Sequence, residues 1–409
     1  MKQTIYMGCS FIFKPLCSLV VLRVLAGTFG EAGFGYLTQY MSFLAVVFGL
    51  ALGGANNYLV KNLSQAKSTQ AYEREISVAF SYGLLFFCLL SLVVIGFKSE
   101  LEQFVFYKEV SWWVIVYILT VFMLSNISGV LMSVVLAQGK TNRYVLSNAG
   151  GALLFVTCVL TLVFLNLSSW VYWILPLSYV LPGVFLYKSF NGKIRIDFGF
   201  LFESRRLLEV FRFCLIVYVG LVSIPVVSML LRENFSQHFG AVELSYWQAA
   251  VKISDTIQQF YGMFCAVILL PYLSRKLENF NFREWLIHLG GVSAIFVLGA
   301  CMTYALRKYI ISLLFGEGYS AVANYLPLYL IGDYFRAIAL FCSFTMIAAG
   351  RYSQALVFEA LQGVVFVGLY NVMLGRKSVD IGSVYISTYA FCFVLMFVFV
   401  YQYFKRRAV

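Results

Sequence analysis

Charge is what this 409-residue chain has least of. Asp, Glu, Lys and Arg make up 12 % of it, against 61 % hydrophobic residues, and the mean hydropathy is +0.85. A soluble domain is about a quarter charged, so an ordinary water-facing surface is excluded. Histidine is nearly absent: His238 falls in a loop and His288 near the start of an apolar run. Neither stands with a Ser, Cys or carboxylate as a catalytic set requires, and a membrane acyltransferase would want such an intramembrane histidine. The nine cysteines all fall in apolar runs without Cys-x-x-Cys or Cys/His zinc spacing. They read as small buried hydrophobes. No Gly-Lys-Ser/Thr phosphate loop occurs, so the chain is not read as an ATPase. No catalytic residue, metal ligand or cofactor is assigned, and the chain is read as a non-enzyme.

What the chain has in abundance is apolar runs of about 20 residues, each enough to cross a ~30 Å hydrocarbon core as a helix. Strands of a membrane barrel would be about 10 residues long with alternating polarity, and that pattern is not seen. The fold class is therefore an all-α membrane protein of about twelve spans: 5–27, 34–60, 77–97, 112–137, 145–167, 169–187, 213–231, 245–270, 286–306, 324–349, 355–374 and 381–404. The first run lacks a small-residue cleavage site and is followed by another span, so it is expected to stay in the membrane. Trp112, Trp113, Trp170, Trp173, Trp247 and Trp285 all lie at span starts, where an interfacial aromatic belt would sit.

Basic residues separate the two sides. Even-numbered connections carry Lys61, Lys67, Arg74, Lys140, Arg143, Lys188, Lys193, Arg195, Arg205, Arg206, Arg212, Arg275, Lys276, Arg283 and Arg351. With Lys2, Lys405, Arg406 and Arg407 at the termini the count is nineteen. Odd-numbered connections carry seven: Lys98, Lys108, Arg232, Arg307, Lys308, Arg376 and Lys377. The positive-inside rule then places both termini in the cytoplasm. Clusters this short between spans also dispose of nucleic acid as the reason for the net charge of +12.

The two halves echo one another. Tyr58-Leu59-Val60-Lys61 recurs as Tyr272-Leu273-Ser274-Arg275, 214 residues on. Ala137-Gln138-Gly139-Lys140 recurs as Ala348-Ala349-Gly350-Arg351, 211 on. Pro15 is matched by Pro225, and Tyr187-Lys188-Ser189-Phe190 by Tyr401-Gln402-Tyr403-Phe404. A nearly constant offset points to two six-span lobes, 1–187 and 213–409, joined by a charged cytoplasmic linker at 188–212 with an interfacial helix at Leu201–Phe211. Parallel repeats of this kind place a substrate site between the halves near the midplane. Pro15 and Pro225 would each remove a backbone hydrogen bond and allow a bend.

Seven ionisable residues remain inside the spans: Lys14, Arg23, Lys252, Asp255, Asp333, Arg336 and Glu359. Each costs at least roughly 2.5–3.5 kcal/mol at a helix centre, so they are paired or line a watery path. Lys252/Asp255 and Asp333/Arg336 are three apart and share helix faces. They are either self-neutralising pairs or the walls of a hydrated cavity. Lys14 has no acidic neighbour in sequence and calls for a carboxylate from elsewhere, water or an anion. Arg23 lies near a span end, within snorkelling reach. Glu359 could pair with Arg351 or Arg336, or titrate during transport. Four cations against three anions suggest an anionic substrate head.

Several segments resemble a known family. Thr28-Phe29-Gly30-Glu31-Ala32-Gly33-Phe34-Gly35 looks like the Phe-Gly-x-x-Gly-x-Gly turn of bacterial polysaccharide flippases. Glu31 stands where relatives often have proline, which bears on the turn's rigidity. Trp247-Gln248-Ala249-Ala250-Val251-Lys252-Ile253-Ser254-Asp255 resembles the eighth span of lipid III and O-antigen flippases, and so do Leu269–Arg275 and Ile331-Gly332-Asp333. The resemblance is to the Wzx-type translocases of the multidrug/oligosaccharidyl-lipid/polysaccharide exporter superfamily. It implies a MATE-like pair of six-helix lobes in the bacterial inner membrane with a cationic cavity. The implied activity is flipping undecaprenyl-pyrophosphate-linked O-antigen or related glycan units from the cytoplasmic to the periplasmic leaflet by alternating access, with an O-antigen polymerase and chain-length regulator as partners. Lys14 and Lys252, assisted by Arg23 and Arg336, would then bind substrate. Asp255, Asp333 and Glu359 would line the polar cavity or couple ions. Two alternatives stand beside this: a small-molecule or multidrug antiporter of the same fold, whose cavity would be net acidic, and a glycan polymerase or ligase, which would carry a large external loop.

Overall fold

The computed structural model describes residues 2–66, 68–107, 109–187, 204–277, 280–375 and 380–407. Residues 188–203 of the expected linker lie outside these, as do Lys67, Lys108, Lys188, Lys193, Arg195, Arg376 and Lys377 of the charge count. The described chain is helical, with no strand. The helices are α1 (Lys2–Gly49), α2 (Asn56–Gln65), α3 (Thr69–Gly96), α4 (Lys98–Leu101), α5 (Trp112–Ala137), α6 (Thr141–Phe164), α7 (Val171–Ile174), α8 (Leu181–Val184), α9 (Ser204–Phe239), α10 (Ala241–Phe264), α11 (Leu270–Lys276), α12 (Phe282–Ala305), α13 (Arg307–Leu314), α14 (Val322–Ala348), α15 (Tyr352–Gly375) and α16 (Ile381–Arg407). Among the described residues eight helices are long and apolar enough to cross a membrane. Exposed Leu92, Trp113, Leu146, Leu298 and Val364 fit such a setting, because lipid carries no penalty for apolar side chains.

Three of the expected spans take a different form. The first and most of the second form one helix, α1, which leaves helical geometry at Gly30, whose φ of 65° and ψ of −175° suit glycine alone, and the end of the second is set off by the turn at Ala51–Gly54 and lies in α2. Pro15 sits inside α1, and the departure from helical geometry falls at Gly30, within the expected connection. The expected sixth span is a chain of short turns between Ser168 and Val184. Pro176 and Pro182 explain this, since each removes a helical donor and crowds the preceding turn. The helix expected at Leu201–Phe211 is described from Ser204 and runs on as α9 to Phe239. Arg232, counted above with the connections, lies inside α9 and is 4 % exposed.

The contacts divide the chain into two units. Unit 1 comprises residues up to Gly30 and Tyr36–Met229; unit 2 comprises Glu31–Gly35 and everything from Leu230. The core of unit 1 gathers Leu25, Leu37, Tyr40, Phe122 and Val171, with a second cluster around Leu52, Leu59, Ile76 and Val134. Unit 2 is built on α14, the most enclosed of its long helices, which packs against α10, α12 and α16. Trp112, Trp113 and Trp170 are exposed, as an interfacial belt requires, whereas Trp247 and Trp285 are buried. Both find an indole partner inside unit 2: Trp247 donates to the Tyr329 hydroxyl, and Trp285 to Thr345 Oγ1 at 3.0 Å.

The turn at Glu31–Gly35 is held firmly despite lacking proline. The Tyr246 hydroxyl donates to Glu31 Oε2 at 2.6 Å, and the Gly35 amide to Ser245 Oγ at 2.8 Å. Phe34 is fully buried, edge-on to Phe315 and Tyr319. Glu31 thus supplies by side-chain contact the restraint that proline would supply covalently.

Each unit repeats the other's local plan. α5 ends at Ala137 and α14 at Ala348. Gly139 and Gly350 follow with φ of 68° and 73°, and the next residue's amide reaches back to Val135 O and Met346 O respectively. These are matching left-handed helix stops. The chain also leaves α-geometry at Ala51–Gly54 before α2 and at Cys265–Leu269 before α11, 214 residues later. The plans part at the last helix, where α16 is continuous and its counterpart in unit 1 is the broken Ser168–Val184 segment.

Candidate functional site

The charges expected to act together separate by unit. Unit 1 holds Lys14 and Arg23, both exposed, with no carboxylate partner among the described residues. Unit 2 holds Lys252 and Arg336 with Asp255, Asp333 and Glu359. The slight cationic surplus of the sequence is therefore a property of unit 1.

In unit 2 neither sequence-neighbour pair forms an ion pair among the described residues. Arg336 reaches across to Asp255 at 3.4 Å and donates to the Tyr385 hydroxyl at 3.3 Å, with its guanidinium over the Tyr389 ring. Asp333, fully buried, takes neutral donors: Ser254 Oγ and the Tyr385 hydroxyl at 2.8 Å and Gln258 Nε2 at 3.2 Å, all on Oδ1. Its Oδ2 has no partner among the described residues. Glu359 accepts from Gln362 Nε2 at 2.7 Å, and the Tyr389 hydroxyl donates to Gln362 Oε1 at 3.2 Å. One connected network thus runs from Asp255 through Arg336 to Asp333 on one side and, by way of Tyr389, to Glu359 on the other. Lys252, half-buried, makes no ion pair among the described residues. The i,i+3 spacing put each pair on one face, but the long Arg336 side chain finds better geometry across helices.

In unit 1 Lys14 opens onto two adjoining cavities of about 260 and 290 Å³, and among the described residues it is the only charged side chain lining either. Asn148, Ser178, Tyr179 and Pro182 also border both. Arg23 borders neither. Two helix interruptions flank this space. At the first, Leu52 and Gly53 take left-handed geometry with φ of 55° and 57°. The buried Asn126 carboxamide accepts from the Leu52 amide, and the Tyr218 hydroxyl donates to Gly53 O at 2.6 Å. The second is the Ser168–Val184 segment. It packs so closely on α5 that a Cβ on Gly183 would lie 2.7 Å from the Ser128 Cα, and it accepts from Ser147 Oγ at Pro182 O. Non-helical backbone at membrane depth persists only where protein buries it or where it lines a watery cavity.

The repeat offset relates the two arrangements. Asp255, Arg336 and Glu359 lie 214, 211 and 211 residues after Met41, Ser125 and Asn148, three residues that line the unit 1 cavities. Unit 2 fills these places with Asp255 and Arg336, which pair, and with Glu359, which accepts from Gln362. Unit 1 leaves them neutral and open, with Lys14 nearby.

Sequence reasoning missed Asn56, Asn57, Ser125, Ser128 and Asn148, because uncharged polar residues carry little membrane penalty to draw attention. The breaks did leave signals, in Gly53-Gly54 and in the two prolines of 176–182. The described cysteines form no disulfide. His238 is exposed, while His288 is half-buried against Phe280 and within 2.9 Å of the Tyr272 hydroxyl. Among the described residues no three His, Cys, Asp or Glu side chains are placed to hold a metal.

A family model described as "Polysaccharide biosynthesis protein" matches residues 1–276. Two curated relatives, the lipid III flippases of Escherichia coli (strain K12) and Shigella flexneri, are each 22 % identical over 418 residues, covering 96 % of this chain and 96 % of theirs. They are transporters rather than enzymes. Among solved structures, the lipid II flippase MurJ in an inward closed conformation aligns with a TM-score of 0.72 at 14 % identity, over 97 % of this chain and 87 % of that one. An inward-facing MATE-family multidrug resistance transporter of the MOP superfamily aligns with a TM-score of 0.70 at 13 % identity, over 96 % and 94 %. These structures share the fold.

Proposed function

Since the chain belongs to the polysaccharide biosynthesis protein family, we propose that it is a flippase for a lipid-linked oligosaccharide, and that its cargo is an undecaprenyl-pyrophosphate-linked O-antigen repeat unit or related surface glycan. The observation that carries this reading is the cavity pair in unit 1, which among the described residues has a lysine and no acid in its lining. A pyrophosphate and its sugars cannot cross ~30 Å of hydrocarbon unaided, whereas a cation exposed to a polar cavity lowers the cost for the anionic head. The chain would span the inner membrane twelve times as two six-helix lobes, 1–187 and 213–409, with both termini in the cytoplasm. It would carry its load outward by alternating access. Lys14 is the primary anion ligand, with Lys252, Arg23 and Arg336 assisting. Asp255, Asp333 and Glu359 form the polar set through which an ion gradient would act. An isolated lysine suits transport better than a bidentate clamp, because the load must leave again.

Expression in strains lacking a lipid III or O-antigen flippase is the direct test. Restored surface glycan is the expected result; membrane-inserted protein that restores none of them overturns the reading. Orientation has its own measurement. A green fluorescent protein joined after Val409 is expected to fluoresce, and a dark fusion paired with an active alkaline phosphatase fusion would reverse the topology.

A further inference from the structure

The two cavities of unit 1 differ in character on either side of their shared wall. One is lined mainly by Val21, Leu44, Phe155 and Leu175, with Ser18 and with Asn148, Ser178 and Tyr179 at the edge it shares with the other. The other, although it also touches Phe48, Val60 and Met132, is bordered by Asn56, Asn57, Ser125, Ser128, Ser133 and Tyr144. Lys14 stands on the wall between them. Each is a little smaller than an ordinary small-molecule site of roughly 300–1,000 Å³, and the two together fall within that range. An apolar chamber, a cation and a chamber of amides and hydroxyls, in that order, match the order of groups along a prenyl–phosphate–sugar junction.

We propose that unit 1 reads this junction: the apolar chamber takes the first isoprene units, Lys14 the phosphate, and the polar chamber the first sugar. The inference rests on the flippase reading and extends it to how a loaded carrier is told from an empty one. A prenyl phosphate without sugar leaves the polar chamber to water and forfeits its hydrogen bonds. A sugar phosphate without a chain leaves the apolar chamber unfilled.

The amides of the polar chamber are already oriented. Asn148 Nδ2 donates to Tyr144 O at 3.1 Å, leaving its carbonyl oxygen to accept from a sugar hydroxyl. Asn56 Oδ1 accepts from Ser133 Oγ at 3.3 Å, leaving its NH2 to donate. Side chains fixed on one side and open on the other are what a preorganised site needs. Both helix interruptions of unit 1 border this space, as discontinuous helices do at transporter binding sites. The repeat supplies an internal comparison as well: the three equivalent positions in unit 2 are occupied by Asp255, Arg336 and Glu359, whose charges are engaged within the network.

The test is titration of the full chain in lipid nanodiscs with three probes: farnesyl diphosphate, the same molecule carrying one N-acetylglucosamine, and N-acetylglucosamine 1-phosphate. Ala152→Phe, which fills the apolar chamber, is expected to weaken both farnesyl probes roughly tenfold and spare the sugar phosphate. Asn57→Leu, at an exposed position of the polar chamber, is expected to weaken the two sugar-bearing probes roughly fivefold to tenfold and spare farnesyl diphosphate, as loss of one or two hydrogen bonds would. Met41→Phe repeats the first arm should Ala152→Phe fail to fold. Variants that weaken all three probes equally, or none, overturn the proposal. Should the wild-type chain also fail to restore glycan in flippase-deficient cells, the flippase reading itself falls. Restoration without the probe dissociation removes the chambers alone.

Discussion

Cells in which Lys14 is replaced by alanine are expected to lose surface glycan while keeping the protein in the membrane. The argument is one of partners. Lys14 pairs with no carboxylate among the described residues, so removing it strands no buried charge. It is also the only charge among the described residues that line the two unit 1 cavities. A hydrogen bond to a charged group contributes about 1.5–3 kcal/mol, hence roughly tenfold to a hundredfold in affinity for the anionic head. Lys14→Arg keeps the charge and should retain part of the activity, although the planar fork is not a simple substitute for a point charge. Immunoblotting of membranes beside glycan staining separates the two effects. Wild-type glycan in Lys14→Ala cells would remove the anion site from the account.

Arg336→Leu should cost stability as well as transport. The visible ion pair with Asp255 is not the reason, because Asp255 is 51 % exposed and such pairs contribute about 0–1 kcal/mol. The weight falls on Asp333, which is fully buried and linked to Arg336 through the shared Tyr385 hydroxyl. Removing the cation leaves that carboxylate with neutral donors only, and uncompensated buried charges cost about 3–5 kcal/mol. Thermal unfolding in detergent should place Arg336→Leu well below wild type and Asp255→Asn close to it. Adding Asp333→Asn to Arg336→Leu should recover much of the loss, since the amide keeps an acceptor for Ser254 and Tyr385 without the charge. An unchanged melting temperature for Arg336→Leu would refute the network's role in unit 2.

These two residues also show how far the sequence could be read. Both stood out because charge is scarce in apolar runs, and the physical cost of burying it does not depend on the fold. Their partners were another matter. Spacing along a helix put Arg336 beside Asp333 and Lys252 beside Asp255, whereas the structure pairs Arg336 with Asp255, a choice made between helices that no single-helix periodicity contains. The eight long apolar helices among the described residues were legible by length, and the interruptions at Gly53-Gly54 and at Pro176 and Pro182 were written in the sequence but outweighed by hydropathy. The neutral lining of unit 1 was the least visible part. Asn148 and Ser125 are ordinary residues until their offset of 211 sets them against Glu359 and Arg336.

The contact between α14 and α16 bears on how unit 2 can move. A Cβ on Gly332 of α14 would lie 2.2 Å from the Tyr385 ring of α16, and one on Gly382 of α16 would lie 2.6 Å from Leu328 Cβ of α14. Each helix therefore has a notch that receives a side chain of the other. Tyr385 is further pinned by its hydrogen bond to Asp333 and its stack on Tyr329. A joint keyed in both directions resists sliding along its axis, and no single rotamer change releases it. The two helices form one strut, so mechanical work done on unit 2 must be absorbed by its more loosely held helices, while the strut carries the displacement undiminished along its length.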